Sequence, residues 1–201
     1  RIEELENGFD RTNEISESTD KKNTKIIISF DDGYKDNFKY AFPILKDNNL
    51  SAIFFILSDY ISSKNIIWDR EICLIINFAN HNRKSFEIKN NKGKIVFKKN
   101  NDIQVNVNDL WKIINYLKKS EPQYINSQLS NIKDQIDYQY NYQDMDYCMS
   151  WDEIKIMSKD GMLFGSHGCS HISFANISKE VLYRELVNSK KEIEKKLNIS
   201  C

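Results

Sequence analysis

The sequence predicts an α/β fold, and three segments near its start carry that prediction. Two apolar runs, residues 25–30 and 52–57, have the length and composition of strands buried on both faces of a sheet. Between them Phe38, Phe42 and Leu45 recur at helical spacing. A strand, a helix and a second strand form a βαβ unit, which implies a parallel sheet with a right-handed crossover.

The rest of the chain divides into a core and an insertion. Residues 1–24 are a polar lead-in, and residues 25–61 and 148–201 carry the α/β pattern. Residues 62–147 interrupt that pattern and are predicted to form a mostly helical insertion. After it, a helix capped by Ser150, a third short strand and a long amphipathic helix restore the α/β pattern.

Within the insertion, turn and capping residues mark the element boundaries. Helices are predicted to begin at Trp68, after an N-cap at Asn108, and at Pro122. Two short apolar runs flank residues 90–93, which include a glycine and predict a hairpin turn. The polar, tyrosine-rich residues 137–147 are expected to be an exposed connection.

The composition excludes several classes of protein. The chain of 201 residues carries 29 basic and 29 acidic side chains, whereas a nucleic-acid binder needs a local basic excess. Its apolar runs are far shorter than the ~18 residues of a membrane span. Its four cysteines form no C-x-x-C pair, which argues against a structural zinc site. No signal peptide is visible in the given chain, so the compartment is left open, with a cell-envelope or secreted location compatible.

Two adjacent carboxylates, Asp31 and Asp32, lie where the first strand meets Gly33. At ~4 Å and an effective dielectric constant near 20, two such charges repel by about 4 kcal/mol. A bound cation, or a proton on one of them, removes that conflict. By itself the Asp-Asp-Gly triplet is more typical of a surface turn.

Two of the chain's three histidines, His167 and His171, follow the third strand, and the remaining one is His81. On one helical turn the pair would share a face suited to a single metal. Catalytic groups cluster at the carboxyl ends of strands in α/β folds, so the two pairs are predicted to meet. One carboxylate and two imidazoles suit a divalent ion with open positions. Such an ion lowers the pKa of a water toward ~7, and the second carboxylate is placed to take its proton, so metal-assisted hydrolysis is predicted.

The same segments resemble the polysaccharide deacetylase family, carbohydrate esterase family 4. Residues 28–33, 42–45 and 52–55 are similar to the opening of that family, and residues 150–154 and 165–171 to its second motif. The helix from Glu185 to Leu197 is similar to the one after that motif. The Trp-Asp-Arg triplet at residues 68–70 is similar to the insertion of a longer subset.

The resemblance implies part of a distorted (β/α) barrel that removes acetyl groups from an N- or O-acetylated polysaccharide or sugar. Asp31 would be the catalytic base acting on a metal-bound water. Asp32, His167 and His171 would hold the divalent metal, zinc being expected and cobalt or nickel the alternatives. Acetylated glycans are the implied partner, and nothing in the residues identifies those that bind the substrate.

The chain also departs from the family pattern. Gly168 stands where the family usually has Ser or Thr after the first metal histidine. The later motifs, with an arginine, an oxyanion-stabilising N–H and a general-acid histidine, would lie past Cys201, so a truncated chain is expected. The alternative function is a non-catalytic glycan-binding relic of the same fold. A phosphohydrolase with Asp31 as nucleophile is disfavoured, because such sites need Asp-x-Asp spacing.

Three other kinds of residue are candidates for the site. The tryptophans Trp68, Trp111 and Trp151 can stack on sugar rings, but partial burial in the core is favoured. Cys169 lies between the two histidines and is expected to be a packed thiol rather than a ligand. His81 is expected to be an exposed residue at a helix end.

Overall fold

The computed structural model describes residues 26–199, so the predicted lead-in at residues 1–24 lies outside the described residues. The helices and strands, in chain order, are β1 (Ser29–Phe30), α1 (Phe42–Asp47), β2 (Ile53–Ile56), α2 (Trp68–His81), β3 (Phe86–Lys89), β4 (Ile95–Lys99), α3 (Val107–Leu117), α4 (Pro122–Ile136), α5 (Trp151–Lys159), β5 (Leu163–Ser166), α6 (Lys179–Tyr183) and α7 (Ser189–Leu197). Wider π-type turns, Asn37–Ala41 and Arg184–Asn188, precede α1 and join α6 to α7.

A parallel three-stranded sheet, in the order β1-β2-β5, is the centre of the core, as the α/β prediction requires. Phe54 on β2 is fully buried. Its ring stacks on Phe30 at 4.8 Å and on Phe164 at 5.6 Å, measured between ring centroids. This aromatic row packs the three strands together. Because the strands run parallel, their carboxyl ends meet at one edge of the sheet.

The prediction that the first two strands are buried on both faces is wrong. Of the described residues 26–30, only Ser29 and Phe30 have strand geometry, and Ile26 and Ile27 are 55% and 64% exposed. Within residues 26–199, β1 pairs with β2 alone, so its other edge has no strand against it. In β2, Phe54 and Ile56 are buried while the alternate residues are half-buried. One face of the sheet is therefore packed more deeply than the other.

The insertion builds its own apolar cluster from α2, α3, α4 and the β3–β4 hairpin. The hairpin and the start of α4 at Pro122 confirm the predictions. The predicted cap at Asn108 is wrong, since Asn106 is the N-cap and its side chain accepts a hydrogen bond from Asp109 N at 3.0 Å. Asn106 has the extended backbone that a cap requires, so the helix begins two residues earlier than predicted.

The connection at residues 137–147 is less exposed than predicted. Asp146 is only 4% exposed and pairs with Arg70 Nη2 at 3.0 Å. The Tyr142 hydroxyl donates to Glu71 Oε1 at 2.9 Å, and four tyrosine rings contact one another in series along the segment. These contacts fasten the connection to the first turns of α2.

The last part of the chain contains the capped helix and the third strand predicted there, and a π-type turn divides the predicted long helix into α6 and α7. Ser150 caps α5 and forms a reciprocal capping box with Glu153. Ser178 caps α6, and α7 buries Ile193 against the core. Among residues 26–199, no helix is both long and apolar enough to cross a membrane.

Candidate metal centre

A sharp turn at the end of β1 separates the two adjacent carboxylates. Asp32 and Gly33 both have left-handed backbones, with φ of 71° and 78°. The N–H of Gly33 donates to Asp31 O at 2.9 Å. A Cβ at Gly33 would lie 3.0 Å from Ile56 Cγ2, so only glycine fits without displacing that side chain. The predicted turn is present; it leaves the Asp31 side chain exposed and half-buries that of Asp32.

The two histidines come from the segment that follows β5. The N–H of His167 donates to Ile56 O at 2.9 Å, which extends the contact between β5 and β2. The expected helical turn is absent from residues 167–171, which form a loop. Gly168 and His171 both have positive φ, 93° and 59°. The loop doubles back at these two residues and thereby brings together histidines that the prediction placed on one helix face.

Asp32, His167 and His171 converge on one point. Nε2 of each histidine lies 3.4 Å from Asp32 Oδ1, and the three candidate ligand atoms all lie within 4.8 Å of one another. Within residues 26–199, Asp32 Oδ1 is a buried carboxylate oxygen without a hydrogen-bond partner. For a tetrahedral zinc ion with ligands at ~2.1 Å, two ligand atoms lie about 3.4 Å apart. The residues present therefore fit a divalent metal.

The ionisable side chains of this cluster shift one another's pKa values. Burial raises the pKa of Asp32 above its usual value, and the neighbouring His171 and His167 offset only part of that rise. Burial by itself would lower the pKa of His171, but the adjacent Asp69 carboxylate raises it above the usual value. Burial acts to raise the pKa of Asp69, yet contact with His171 holds it below the usual value.

Sequence reasoning missed two neighbours of His171. Asp69 Oδ2 lies 3.0 Å from His171 Nδ1, and Trp68 Nε1 donates to the backbone carbonyl of His171 at 2.9 Å. Both residues belong to the first turn of α2, and the sequence analysis did not place either of them beside the histidines. Because 103 positions separate Trp68 from His171, no spacing rule connects them; the resemblance of the Trp-Asp-Arg triplet was the one available signal.

A buried carboxylate, Glu185, holds the histidine loop in place. Its Oε2 accepts hydrogen bonds from Cys169 N at 2.7 Å and Ser170 N at 2.9 Å. Its Oε1 accepts from Ser170 Oγ at 2.6 Å. A Cβ at Gly168 would lie 3.1 Å from Glu185 Oε2, so the glycine that departs from the family pattern fits this arrangement. The N–H of Gly168 donates to Ser166 Oγ at 3.1 Å, which supplies the loop with an internal hydrogen bond.

The remaining candidates lie away from the cluster or inside the core. Cys169 is a buried thiol that donates to Arg184 O at 3.6 Å, in line with the packed-thiol prediction. Trp68 and Trp151 are 2% and 8% exposed, whereas Trp111 on α3 is 57% exposed. His81 is exposed at the end of α2, as predicted. Trp68, which donates a hydrogen bond to His171 O, is thus buried and presents no open ring face for a sugar.

Comparison with known proteins identifies the family. The family model described as polysaccharide deacetylase matches residues 18–200, and no curated protein matches the sequence. One similar solved structure is the Streptococcus pyogenes deacetylase PplD in complex with acetate, with 14% sequence identity and a TM-score of 0.49. The match covers 100% of this chain and 50% of the PplD chain. Another is the BpsB deacetylase domain from Bordetella bronchiseptica, with 11% sequence identity and a TM-score of 0.40. That match covers 87% of this chain and 52% of the BpsB chain. The chain thus spans about half the length of each of these structures. Because the family model covers nearly the whole sequence, the chain belongs to the polysaccharide deacetylase family.

Proposed function

We propose that this protein is a metal-dependent hydrolase that removes acetyl groups from an N- or O-acetylated polysaccharide or sugar. The observation that carries the proposal is the buried, unpartnered Asp32 Oδ1, which lies 3.4 Å from Nε2 of both His167 and His171. Family membership supports the reaction class, and the cluster supports the use of a metal. Zinc is the expected ion, because a carboxylate and two imidazoles are ligands that it prefers.

The chemistry divides between the two carboxylates at the end of β1. A divalent ion held by Asp32, His167 and His171 would polarise the acetyl carbonyl and make a water nucleophilic near neutral pH. Asp31 is exposed beside the cluster and close enough to raise the pKa of Asp32. An exposed carboxylate that is not a ligand can accept the proton of the attacking water. Asp31 is therefore assigned as the base and Asp32 as a ligand.

The substrate class follows from the family. Acetylated glycans are the proposed substrate, and a protein acting on them is expected at the cell envelope or outside the cell. The choice between N- and O-acetyl groups depends on the residues that contact the sugar.

The roles of the two carboxylates are tested by three matched variants. Asp31→Asn is expected to keep its metal and lose about 10²–10⁴-fold in rate, the usual contribution of a positioned general base. Asp32→Asn is expected to lose metal. Asp36→Asn, an exposed aspartate five residues from Asp31, is the control and should change neither. The measurements are metal content after dialysis, and acetate release from an acetylated chito-oligosaccharide.

Two outcomes would contradict the proposal. Equal metal content and equal activity in Asp31→Asn and Asp32→Asn would show that the roles are wrongly assigned. If the full natural chain binds metal and glycan yet releases no acetate, the glycan-binding alternative is correct.

A further inference from the structure

The insertion reaches the candidate metal centre through the first turn of α2. We propose that Asp69 is a positioning residue that orients His171 for metal binding, so that the insertion completes a site otherwise built by the α/β core. Asp69 Oδ2 lies 3.0 Å from His171 Nδ1, on the opposite side of the ring from Nε2, which faces Asp32 Oδ1 at 3.4 Å. The inference rests on the proposed metal-dependent function and adds a residue to it.

The two contacts of the His171 ring require different hydrogen positions. A neutral imidazole carries one N–H and one lone pair, and an ionised carboxylate only accepts hydrogen bonds. With Asp69 beside Nδ1, the hydrogen belongs on Nδ1 and the lone pair on Nε2. Nε2 is the nitrogen nearest Asp32, so Asp69 selects the tautomer that can bind a metal together with Asp32.

His167 provides an internal contrast. Among residues 26–199, Asp32 is the carboxylate within ion-pair distance of His167. The His167 side chain is 35% exposed, compared with 13% for His171. The His167 ring is thus partly in contact with solvent, whereas the His171 ring is mostly surrounded by protein. A fixed carboxylate is therefore most useful at His171.

The insertion also holds the backbone on both sides of that ring. Trp68 Nε1 donates to His171 O at 2.9 Å, and the N–H of Ser173 donates to Lys118 O, at the end of α3, at 3.1 Å. Between them Ile172 is buried in the apolar cluster of the insertion. Asp69 itself is restrained, because its Oδ1 accepts a hydrogen bond from Arg70 N at 2.8 Å. The insertion thus holds both the Asp69 carboxylate and the backbone that carries the His171 ring.

The test measures binding of Co²⁺ to the wild type, Asp69→Ala and Asp69→Asn by titration calorimetry and visible absorption. The alanine variant is expected to weaken affinity by about 10–100-fold, the usual effect of losing such a partner, and to alter the cobalt spectrum. Asparagine retains an oxygen that accepts from Nδ1–H, so Asp69→Asn should recover part of the affinity. The partial recovery separates positioning from a general loss of packing.

Asp109→Ala is the matched control. Asp109 lies in the first turn of α3, within the same insertion, and among residues 26–199 its carboxylate forms an ion pair with Lys112 at 2.8 Å. Its loss should leave the cobalt affinity and spectrum unchanged, although it removes a similar charge from a helix N-terminus. Unfolding of the metal-free variants in urea identifies any change that comes from stability alone.

Failure of the inference and failure of the proposed function look different. Normal cobalt affinity and spectrum in both Asp69 variants would overturn the positioning role while leaving the metal site intact. If the wild type binds no cobalt, or Asp32→Asn binds it as tightly as the wild type, the metal site itself is wrong and the inference falls with it.

Discussion

The α/β core and the insertion each have an apolar cluster, but they differ in backbone geometry where they meet the site. In the core, Asp32 and His171 adopt left-handed conformations at or beyond strand ends. In the insertion, α2 and α3 are regular helices, and the residues near the site belong to an ordinary first turn. A non-glycine residue with positive φ costs about 1–3 kcal/mol and persists only where its surroundings over-determine it. The core therefore supplies candidate ligands with strained backbones, and the insertion supplies an unstrained first helical turn that contacts one of them, His171.

Glu185 shows how the core stabilises its strained loop. Its carboxylate is fully buried and accepts three hydrogen bonds from Cys169 and Ser170, between the two histidines. The insertion has a similar device at Asp146, which pairs with Arg70 and accepts a hydrogen bond from Gln143 N. The Glu185 carboxylate stabilises the loop that carries the two histidines, whereas the Asp146 carboxylate attaches the connection at residues 137–147 to α2.

The largest effect should come from removing a central core ring. Phe54→Ala is expected to cost about 3–5 kcal/mol, and Ile132→Ala in the insertion about 2–5 kcal/mol. Because Phe54 joins the strands that carry Asp32 and His167, its loss should also weaken metal binding, whereas Ile132→Ala should weaken it little. Urea unfolding and metal titration measure both effects. Equal loss of metal affinity in the two variants would show that the core cluster and the insertion cluster contribute equally to the metal site.

Two glycines with nearly the same φ isolate the effect of their surroundings. Gly33 and Gly93 have φ of 78° and 76°, but a Cβ at Gly33 meets Ile56 at 3.0 Å while one at Gly93 meets nothing within 4 Å. Gly93→Ala should cost about 1 kcal/mol from backbone strain. Gly33→Ala should cost about 2–4 kcal/mol, because overpacking adds to that strain. Equal free energies of unfolding for the two variants would contradict the close packing behind the Asp32 turn.

Replacing the buried carboxylate tests the loop. Glu185→Gln is expected to lower the free energy of unfolding by about 1.5–3 kcal/mol, because hydrogen bonds to a charged group are the stronger ones. Weaker metal binding should accompany this, since the loop carries both histidines. The exposed Glu180 offers the control Glu180→Gln, which should change neither. Unaltered metal affinity in Glu185→Gln would mean that the loop holds its shape without that carboxylate.

The smallest effect concerns acid stability. Lys35 Nζ lies 2.6 Å from Glu153 Oε1, and although burial acts to raise the pKa of Glu153, Lys35 and Ser150 hold it below its usual value. A group whose pKa is lowered in the folded state stabilises the protein above the unfolded-state pKa of about 4.3. This stabilisation is lost as the pH falls through the folded-state pKa. Urea unfolding of the wild type should therefore show a loss below about pH 4.3 that Glu153→Gln lacks. Glu121→Gln, at an exposed position in the insertion, should behave like the wild type; identical profiles for all three proteins would exclude this contribution.

Much of the fold was predictable because its signals are local. Apolar runs identified β2 and β5, helical spacing identified α2 and α4, and Ser150 with Glu153 marked the start of α5. The predictions were wrong where contacts with other segments of the chain determine the bounds of a helix or strand. Asn106 and Asn108 are equally good caps by type, and only the path of the chain selects Asn106. The shortness of β1 likewise reflects which edges are paired, and composition does not reveal pairing.

The sequence by itself determined which residues form the candidate site, because Asp31, Asp32, His167 and His171 follow strands whose carboxyl ends must meet in a parallel sheet. The tertiary structure decided how they meet. The histidines converge through a loop rather than a helical turn, and Asp69 reaches His171 from the insertion. The physical reason is that repeat period and spacing report contacts between residues close in sequence. A carboxylate and a ring separated by a hundred or so positions become neighbours only through tertiary contacts, such as the burial of Ile172, next to His171, in the apolar cluster of the insertion.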